Sequence, residues 1–298
     1  MKHLLAILAA TTTLSGAVHA QEITEFNIGI LGGENAQDRL TNQECFRAKI
    51  EEALGVPVKL FAPADYDGVI QGLLGGTLDY GWLGASAFAK IYLTDPNAVE
   101  LKLTKQNVDG STGYYSIGFA RADSGITSIE DAKGKVFAFA DPNSTSGYLV
   151  PGAELIANYG KLEEYFAEVK MSGGHEQSIV GVHNGDFDAA VSWADGLGNW
   201  EDGYNSGAFR RAADAGLVDM NNLVEIWRSK MIPEGPMVIR SALPQDVKDK
   251  VTQLTADLWE TDPECAYNVA AGDAKDFVPV DLSAYEGVLA ARKLQEGM

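Results

Sequence analysis

The sequence predicts an α/β protein with two lobes, each a mixed, mostly parallel sheet flanked by helices. Short runs with the β-strand pattern alternate with helical stretches along most of the chain, which is the order typical of this class. The alternation forms two series that share a helix–turn–strand unit. The length of 298 residues, against roughly 100–200 for one domain, also favours two units.

The first series builds the start of the first lobe. Strands and helices are predicted in the order strand 26–31, helix 38–54, strand 56–61, helix 65–74, strand 79–83 and helix 86–92. Gly55 is expected to end the first of these helices, and Gly75 with Gly76 the second, because glycine readily adopts the backbone conformations that close a helix.

The second series builds the second lobe in the same way. Its elements are predicted as strand 135–139, helix 146–159, strand 168–171, helix 176–184 and strand 188–193. Residues 69–82 and 179–190 share a helix, a glycine-containing turn, a hydrophobic residue, an aspartate and a strand. Similar turn chemistry explains part of this likeness, but two related lobes explain it better.

Two extended segments, residues 114–120 and 237–240, are expected to cross between the lobes. The chain after the second segment has the pattern of helices and contains too few strands for a third domain. The predicted first lobe is therefore discontinuous, with residues 21–117 and 241–298, and the second lobe comprises residues 118–240. Two crossings form a hinge, and the loops at the carboxyl ends of the strands would line a cleft between the lobes.

The first twenty residues have the pattern of a secretory signal peptide. Lys2 and His3 precede the apolar run 4–10, and the small-residue site Val18-His19-Ala20 follows. A membrane anchor would need about 18–20 apolar residues, more than twice the length of this run. We therefore expect residues 1–20 to be removed on export to a bacterial periplasm.

Composition excludes several kinds of partner. Lys and Arg total 23 and Asp and Glu total 42, which gives a formal net charge of −19. Nucleic acids and anionic membrane surfaces both require a cationic face, so neither is expected as a partner. The 46% of hydrophobic residues is enough for an ordinary globular core. We expect a monomer.

The two cysteines, Cys45 and Cys265, do not form a disulfide scaffold or a metal-binding cluster with histidine. An oxidising compartment favours a disulfide between them. Two buried free thiols are the alternative, since free cysteines are common in protein cores. No metal or other cofactor is predicted.

Residues 141–152 contain the strongest functional signal. They follow a predicted strand, open a predicted helix and include the consecutive hydroxyl residues Ser144, Thr145 and Ser146. A helix N-terminus carries partial positive charge and unpaired N–H donors, and three hydroxyl groups add neutral donors that suit a tetrahedral oxyanion. One hydroxyl residue would be an ordinary helix cap, but three in succession favour an oxyanion site.

Weaker candidates lie at comparable positions. Ser86 occupies the equivalent strand-to-helix position in the first lobe, Tyr66 begins a helix, and His175 follows another strand. Tyr114 precedes a crossing segment, and Trp193 ends a strand. The aromatic residues could enclose a small organic group or belong to the core, and a lone histidine is commonly structural.

Four segments together resemble the phosphate, phosphite and phosphonate periplasmic binding proteins, most closely the phosphonate-binding component of bacterial ABC importers. These segments are residues 141–151, Gly113-Tyr114-Tyr115-Ser116, Gly174-His175-Glu176 and Ile232-Pro233-Glu234-Gly235-Pro236. The resemblance covers nearly the whole mature chain. It implies a two-lobed type II binding protein that delivers its ligand to a membrane permease, with the phosphonate held by Ser144, Thr145, Ser146, Tyr66, Tyr114 and His175.

The resemblance also implies 2-aminoethylphosphonate as the most favoured ligand, because acidic residues of the family hold its amino group. One of these aligns with Asp195. The other position is Gly235 here, with Glu234 one place earlier, and this departure leaves the exact ligand open. Phosphite, methylphosphonate, phosphate and a sulfonate are the rival ligands.

The alternative to a binding protein is a periplasmic enzyme that acts on a phosphoryl or phosphonate compound. The sequence has no Gly-x-Ser-x-Gly motif, no metal-binding cluster and no base evident beside Ser144. His175 and His183 are eight residues apart, which is too far for an i,i+4 ligand pair. Binding without catalysis is therefore the preferred interpretation.

Overall fold

A computed structural model describes residues 23–32 and 35–297 of the chain. The predicted signal peptide lies outside the described residues. Within them, none of the helices combines the length and the apolar character needed to cross a bilayer. The described chain forms two sheets, and helices pack on both faces of each.

The strands are short and lie in both halves of the chain. In chain order they are β1 (Phe26–Gly29), β2 (Val58–Phe61), β3 (Tyr80–Trp82), β4 (Val99–Gln106), β5 (Gly113–Arg121), β6 (Val136–Phe139), β7 (Glu168–Met171), β8 (Ala189–Ala194), β9 (Leu223–Arg228), β10 (Ile232–Pro233), β11 (Pro236–Arg240) and β12 (Asp276–Pro279). The predicted strands of both series are present.

The helices occupy most of the remaining chain. They are α1 (Ala36–Leu54), α2 (Tyr66–Leu74), α3 (Ala85–Thr94), α4 (Val150–Tyr159), α5 (Leu162–Tyr165), α6 (His175–Asn184), α7 (Ala208–Asp214), α8 (Gln245–Ala256), α9 (Leu258–Thr261), α10 (Pro263–Ala270) and α11 (Glu286–Glu296). A π-helical turn over Thr145–Leu149 leads into α4. Gly55 ends α1 in the left-handed conformation, as its position predicts.

Both sheets are mixed, as the sequence predicts, but fewer of their strand pairs are parallel than expected. The first has the order β12-β4-β11-β3-β1-β2, and the second has the order β10-β5-β8-β6-β7, with β9 also paired with β5. Two pairs in each sheet are parallel and three are antiparallel. In the first sheet, β11 runs opposite to β3 and β4, and β12 runs opposite to β4. In the second sheet, β5 runs opposite to its neighbours β8, β9 and β10.

The chain crosses between the sheets in two short segments, residues 107–112 and residues 234–235. Strand β5 belongs wholly to the second sheet and β11 wholly to the first. The predicted boundaries therefore assigned residues 113–117 and 236–240 to the wrong lobes. Both segments are extended because they are strands whose backbone groups form hydrogen bonds with neighbouring strands of the same sheet. They do not bridge the lobes.

Strands β4 and β12 of the first sheet were not predicted from the sequence. Charged residues interrupt the pattern of β4, a register shift beside Leu101 and Leu103 breaks its alternation, and Lys105 lies on the same face of the strand as the buried Leu103. A lysine at a buried strand position is unusual, and it needs a buried partner. That partner is distant in sequence and belongs to the binding site described below.

A disulfide fastens the discontinuous first lobe. Cys45 in α1 and Cys265 in α10 are bonded, with a Cα–Cα distance of 5.8 Å and 220 residues between them in sequence. Both cysteines pack within the hydrophobic cluster that includes Phe46, Ile50 and Val269. The bond thus joins the earliest helix of the lobe to its C-terminal part, and it is the pairing that the oxidising compartment favours.

Replacing both cysteines, Cys45→Ala with Cys265→Ala, should lower the free energy of unfolding by about 2–5 kcal/mol, because the unfolded chain loses a long covalent loop. Denaturant unfolding of the oxidised wild type and the double variant measures this difference. By mass spectrometry, the intact wild type without reductant should be lighter than the reduced protein by the mass of two hydrogen atoms. Two thiols that alkylate freely in the folded, unreduced protein would contradict the bond.

Candidate ligand-binding site

A cavity of about 150 Å³ lies between the lobes. Its wall includes residues from both sheets and from the crossing segment 234–235. Eight of the residues singled out from the sequence line it, namely Tyr66, Tyr114, Ser144, Thr145, Ser146, His175, Trp193 and Glu234. Ser86 and Asp195 do not line it, and both are fully enclosed by neighbouring residues.

The hydroxyl turn, residues Ser144–Ser146, forms one part of the wall. Ser144 caps the helical segment, and its Oγ accepts a hydrogen bond of 3.0 Å from the N–H of Gly147. A Cβ at position 147 would overlap Ala140 and crowd Ser144 and His175, so glycine is required for this tight approach. The turn therefore presents hydroxyl groups together with the N-terminus of a long helical segment.

Two further helices begin at the cavity. Helix α3 starts after Gly84 and helix α6 starts after Gly174, and neither N-terminus has a side-chain cap. Gly84 and His175, at these two helix ends, line the cavity. Helix N-termini carry partial positive charge, so their convergence from both lobes produces a site for an anion.

His175 is held between two hydroxyl groups. Its Nε2 lies 3.1 Å from Ser144 Oγ, and its Nδ1 lies 3.3 Å from Ser192 Oγ. No base is evident beside Ser144 in the sequence, but in the structure α6 brings His175 to it from a different loop. The other ring nitrogen, Nδ1, faces the hydroxyl group of Ser192.

Aromatic side chains form another part of the wall. Tyr114 and Trp193 pack edge to face with their ring centroids 5.6 Å apart. Burial raises the pKa of the Tyr114 phenol well above its usual range, so this hydroxyl remains protonated and can donate a hydrogen bond. The aromatic pair gives the cavity an apolar surface beside the polar turn.

Ser86 acts between the lobes and not at the cavity surface. Its backbone N–H donates a hydrogen bond of 2.8 Å to Thr145 Oγ1 in the other lobe. A second contact of this kind joins the N–H of Tyr66 to Asp141 Oδ2 at 3.3 Å. The prediction that Ser86 belongs to the site therefore needs correction: it faces the hydroxyl turn, but it supports the turn from behind.

Arg292, in the last helix, is a site-supporting residue that the sequence analysis missed. Its guanidinium donates hydrogen bonds to the carbonyl oxygen of Pro142 at 3.2 Å, to Asn143 Oδ1 at 2.8 Å and to Ser86 Oγ at 3.3 Å. It thereby joins α11 of the first lobe to the loop that precedes the hydroxyl turn. In the sequence, Arg292 has the spacing of an ordinary helix-surface residue that pairs with Glu296 four residues later. The residues around it give no indication of its contacts with the hydroxyl turn's loop.

The two acidic candidates share a buried lysine. Lys105 Nζ lies 2.9 Å from Glu234 Oε1 and donates a hydrogen bond of 2.7 Å to Ser206 Oγ. Asp195 lies behind this group, where Leu197 N–H donates to its Oδ1 at 3.2 Å. Burial raises the pKa of both carboxyls, and the charge of Lys105 opposes that rise. Asp195 is buried and does not line the cavity.

Gly235 is where the second acidic residue of the family would stand. A Cβ at this position would overlap the carbonyl oxygen of Leu83, so the backbone here admits only glycine. The carbonyl oxygen of Gly235 accepts hydrogen bonds from Trp82 Nε1 at 2.9 Å and from Thr104 Oγ1 at 3.1 Å. The crossing segment is thus fixed against the first lobe, and Glu234 alone provides a carboxylate at this point.

The two α/β lobes, the cavity between them and the converging helix ends define a solute-binding protein with an interlobe cleft. A family model described as "ABC transporter, phosphonate, periplasmic substrate-binding protein" matches residues 28–285. The chain belongs to this family, which confirms the resemblance found in the sequence.

Individual relatives agree with this assignment. The chain is 30% identical over 260 residues to the phosphonates-binding periplasmic protein of Escherichia coli, covering 86% of this chain and 72% of that protein. It is 27% identical to the phosphate-import protein PhnD of Mycolicibacterium smegmatis, covering 88% and 83% respectively. A solved binding-protein component of an ABC phosphonate transporter from Pseudomonas aeruginosa superposes with a TM-score of 0.77 at 26% identity, covering 91% and 86%.

Replacing Ser144, Thr145 and Ser146 together with alanine should weaken the binding of methylphosphonate at least about a hundredfold. Each hydrogen bond to a charged group contributes about 1.5–3 kcal/mol, and the variant removes several of them. Isothermal titration calorimetry measures the change, with thermal unfolding as the check that the lobes remain folded. Unchanged affinity in a folded triple variant would show that the oxyanion is held elsewhere.

Replacing Arg292 with methionine should weaken the same binding about tenfold, mainly through faster dissociation, because the bridge from α11 to Pro142 and Asn143 is lost. Lys293→Met is the matched control, since it removes the same charge from an exposed neighbour on the same helix. Stopped-flow measurement of the ligand dissociation rate distinguishes the Arg292 variant from the Lys293 variant. Equal dissociation rates for both variants would argue against the role assigned to Arg292.

Proposed function

We propose that this chain is the periplasmic solute-binding component of an ABC importer, and that it binds a small phosphonate between its lobes and delivers it to the membrane permease. The observation that carries the proposal is the hydroxyl turn, which lines a cavity shared by both lobes at the start of a long helical segment. A phosphonate presents three equivalent oxygens, and such a group of neutral donors suits them.

The negative net charge of the protein supports the recognition of an anionic ligand by neutral hydrogen-bond donors. With a formal charge of −19, long-range attraction of an anion is absent, and affinity must come from contacts inside the cleft. Hydroxyl groups, helix ends and the Tyr114 phenol are the donors that we expect to make these contacts. A ligand that touches both lobes also favours the closed arrangement, because those contacts form only when the lobes meet.

Binding without catalysis is part of the proposal. The contact between Ser144 and His175 resembles the start of a nucleophile–base pair, but Ser144 Oγ is already the helix cap that accepts the Gly147 N–H. The other nitrogen of His175 lies 3.3 Å from Ser192 Oγ. Here His175 acts as a further donor or acceptor that fixes the hydroxyl turn.

The resemblance found in the sequence implies 2-aminoethylphosphonate, whose ammonium would need a carboxylate in the cleft. Glu234 is the acidic residue that its ammonium could reach from the cavity, whereas Asp195 is enclosed. Phosphate, phosphite and methylphosphonate need no such partner, and one curated relative is named for phosphate import. The proposal therefore covers small phosphonates as a class, and titration of different ligands distinguishes their substituents.

A calorimetric panel tests the proposal on the mature, oxidised protein. Methylphosphonate, 2-aminoethylphosphonate, phosphite, phosphate and taurine are titrated in turn, and we expect at least one phosphonate to bind more tightly than phosphate and taurine. Phosphorus NMR of the ligand after long incubation should show no new signal. Tightest binding of taurine or phosphate, or conversion of the phosphonate, would contradict the proposed function.

A further inference from the structure

The buried ammonium of Lys105 lies beside the cavity and belongs to no part of the phosphonate-binding turn. The side chain of Lys105 is 0% exposed and that of Glu234 is 4% exposed, and their ion pair spans 2.9 Å. The ammonium also lies 5.4 Å from the centre of the Trp193 ring. Because Glu234 and Trp193 both line the cavity, a fixed positive charge stands immediately behind this part of its wall.

In the described part of the cavity wall, the charged side chains offer little attraction to a cation other than Lys105. Among the described residues that line it, Glu234 is the acidic one, while Arg39 and Arg211 are basic. Asp195 is 1% exposed and outside the lining, and burial raises the pKa of its carboxyl. Gly235 has no room for a side chain, so the crossing segment cannot supply another carboxylate.

We infer that Lys105 takes the place that a ligand ammonium would otherwise occupy, so that the cleft selects phosphonates with an uncharged substituent over aminoalkylphosphonates. The inference rests on the proposed function and specifies its substrate class. A ligand ammonium that contacted Glu234 would lie beside Lys105 on the same carboxylate, and two like charges in a desolvated site repel each other. An alkyl group would instead contact the Tyr114 and Trp193 rings.

The wild-type protein provides the first test. Propylphosphonate and 2-aminoethylphosphonate have the same chain length and differ by a methyl group in place of the ammonium. They are compared by calorimetry at a pH at which both phosphonate groups carry two charges and the ammonium is still protonated. We expect propylphosphonate to bind at least about tenfold more tightly. Equal or tighter binding of 2-aminoethylphosphonate would overturn the inference.

Lys105→Met provides the second test, because it removes the ammonium and frees Glu234 for the ligand. We expect the preference to shift at least about tenfold toward 2-aminoethylphosphonate. Lys102→Met removes the same charge from the same strand away from the cavity, and it should leave the preference unchanged. The double variant Lys105→Met with Glu234→Gln should lose the shift, because the ligand ammonium then has no carboxylate.

The outcomes separate the two proposals. An unchanged preference in folded Lys105→Met overturns the role of Lys105 and leaves phosphonate binding intact. Should that variant fail to fold, the wild-type comparison decides alone. If the wild type binds neither of these ligands and also fails to bind methylphosphonate and phosphite, the proposed function itself is wrong.

Discussion

The close approach of the crossing segment to the first lobe is the constraint on which the site depends. At Gly235 the backbone contacts the carbonyl of Leu83, and Trp82, Thr104 and Tyr285 hold the carbonyl oxygens of residues 234 and 235. A side chain at this position would push the crossing segment away. Fixed in this way, the segment places Glu234 against Lys105 and aligns β11 with the first sheet.

The site shows how an acidic protein can hold an anion. The donors around the hydroxyl turn are mostly neutral, and the helix ends add partial charges of about half an elementary charge each. Two further full charges act from behind the wall of the cavity, where Arg292 supports the turn and Lys105 neutralises Glu234. Such an arrangement depends on closure, since neutral donors compete with water until the cleft is desolvated.

Much of the fold and part of the site could be predicted because the signals are local. The turn Ser144–Ser146 is contiguous, and strand–helix alternation marks both lobes. How deeply a side chain is buried has no such local signal, which is why Asp195 was expected in the cleft although it is 1% exposed and does not line the cavity.

Residues whose partners are distant in sequence were not predictable at all. Arg292 contacts Asn143 across 149 residues and Ser86 across 206 residues, and its own neighbourhood shows only a helix-surface pair with Glu296. The boundary errors at residues 117 and 240 have a related cause, since an extended segment has the same pattern whether it crosses a hinge or joins a sheet. Only the pairing partners of β5 and β11 distinguish the two.

The discontinuous first lobe also determines the order in which the chain can fold. Strands β1, β2, β3 and β4 come from the N-terminal part, but β11 lies between β3 and β4, and β12 covers the far edge of β4. The second sheet, by contrast, is complete within residues 113–233. A chain that emerges N-terminus first can therefore assemble its second lobe while the first still lacks its central strand β11. The strand pairs of the first lobe join more distant parts of the sequence, so its assembly must wait until nearly all of the chain has emerged.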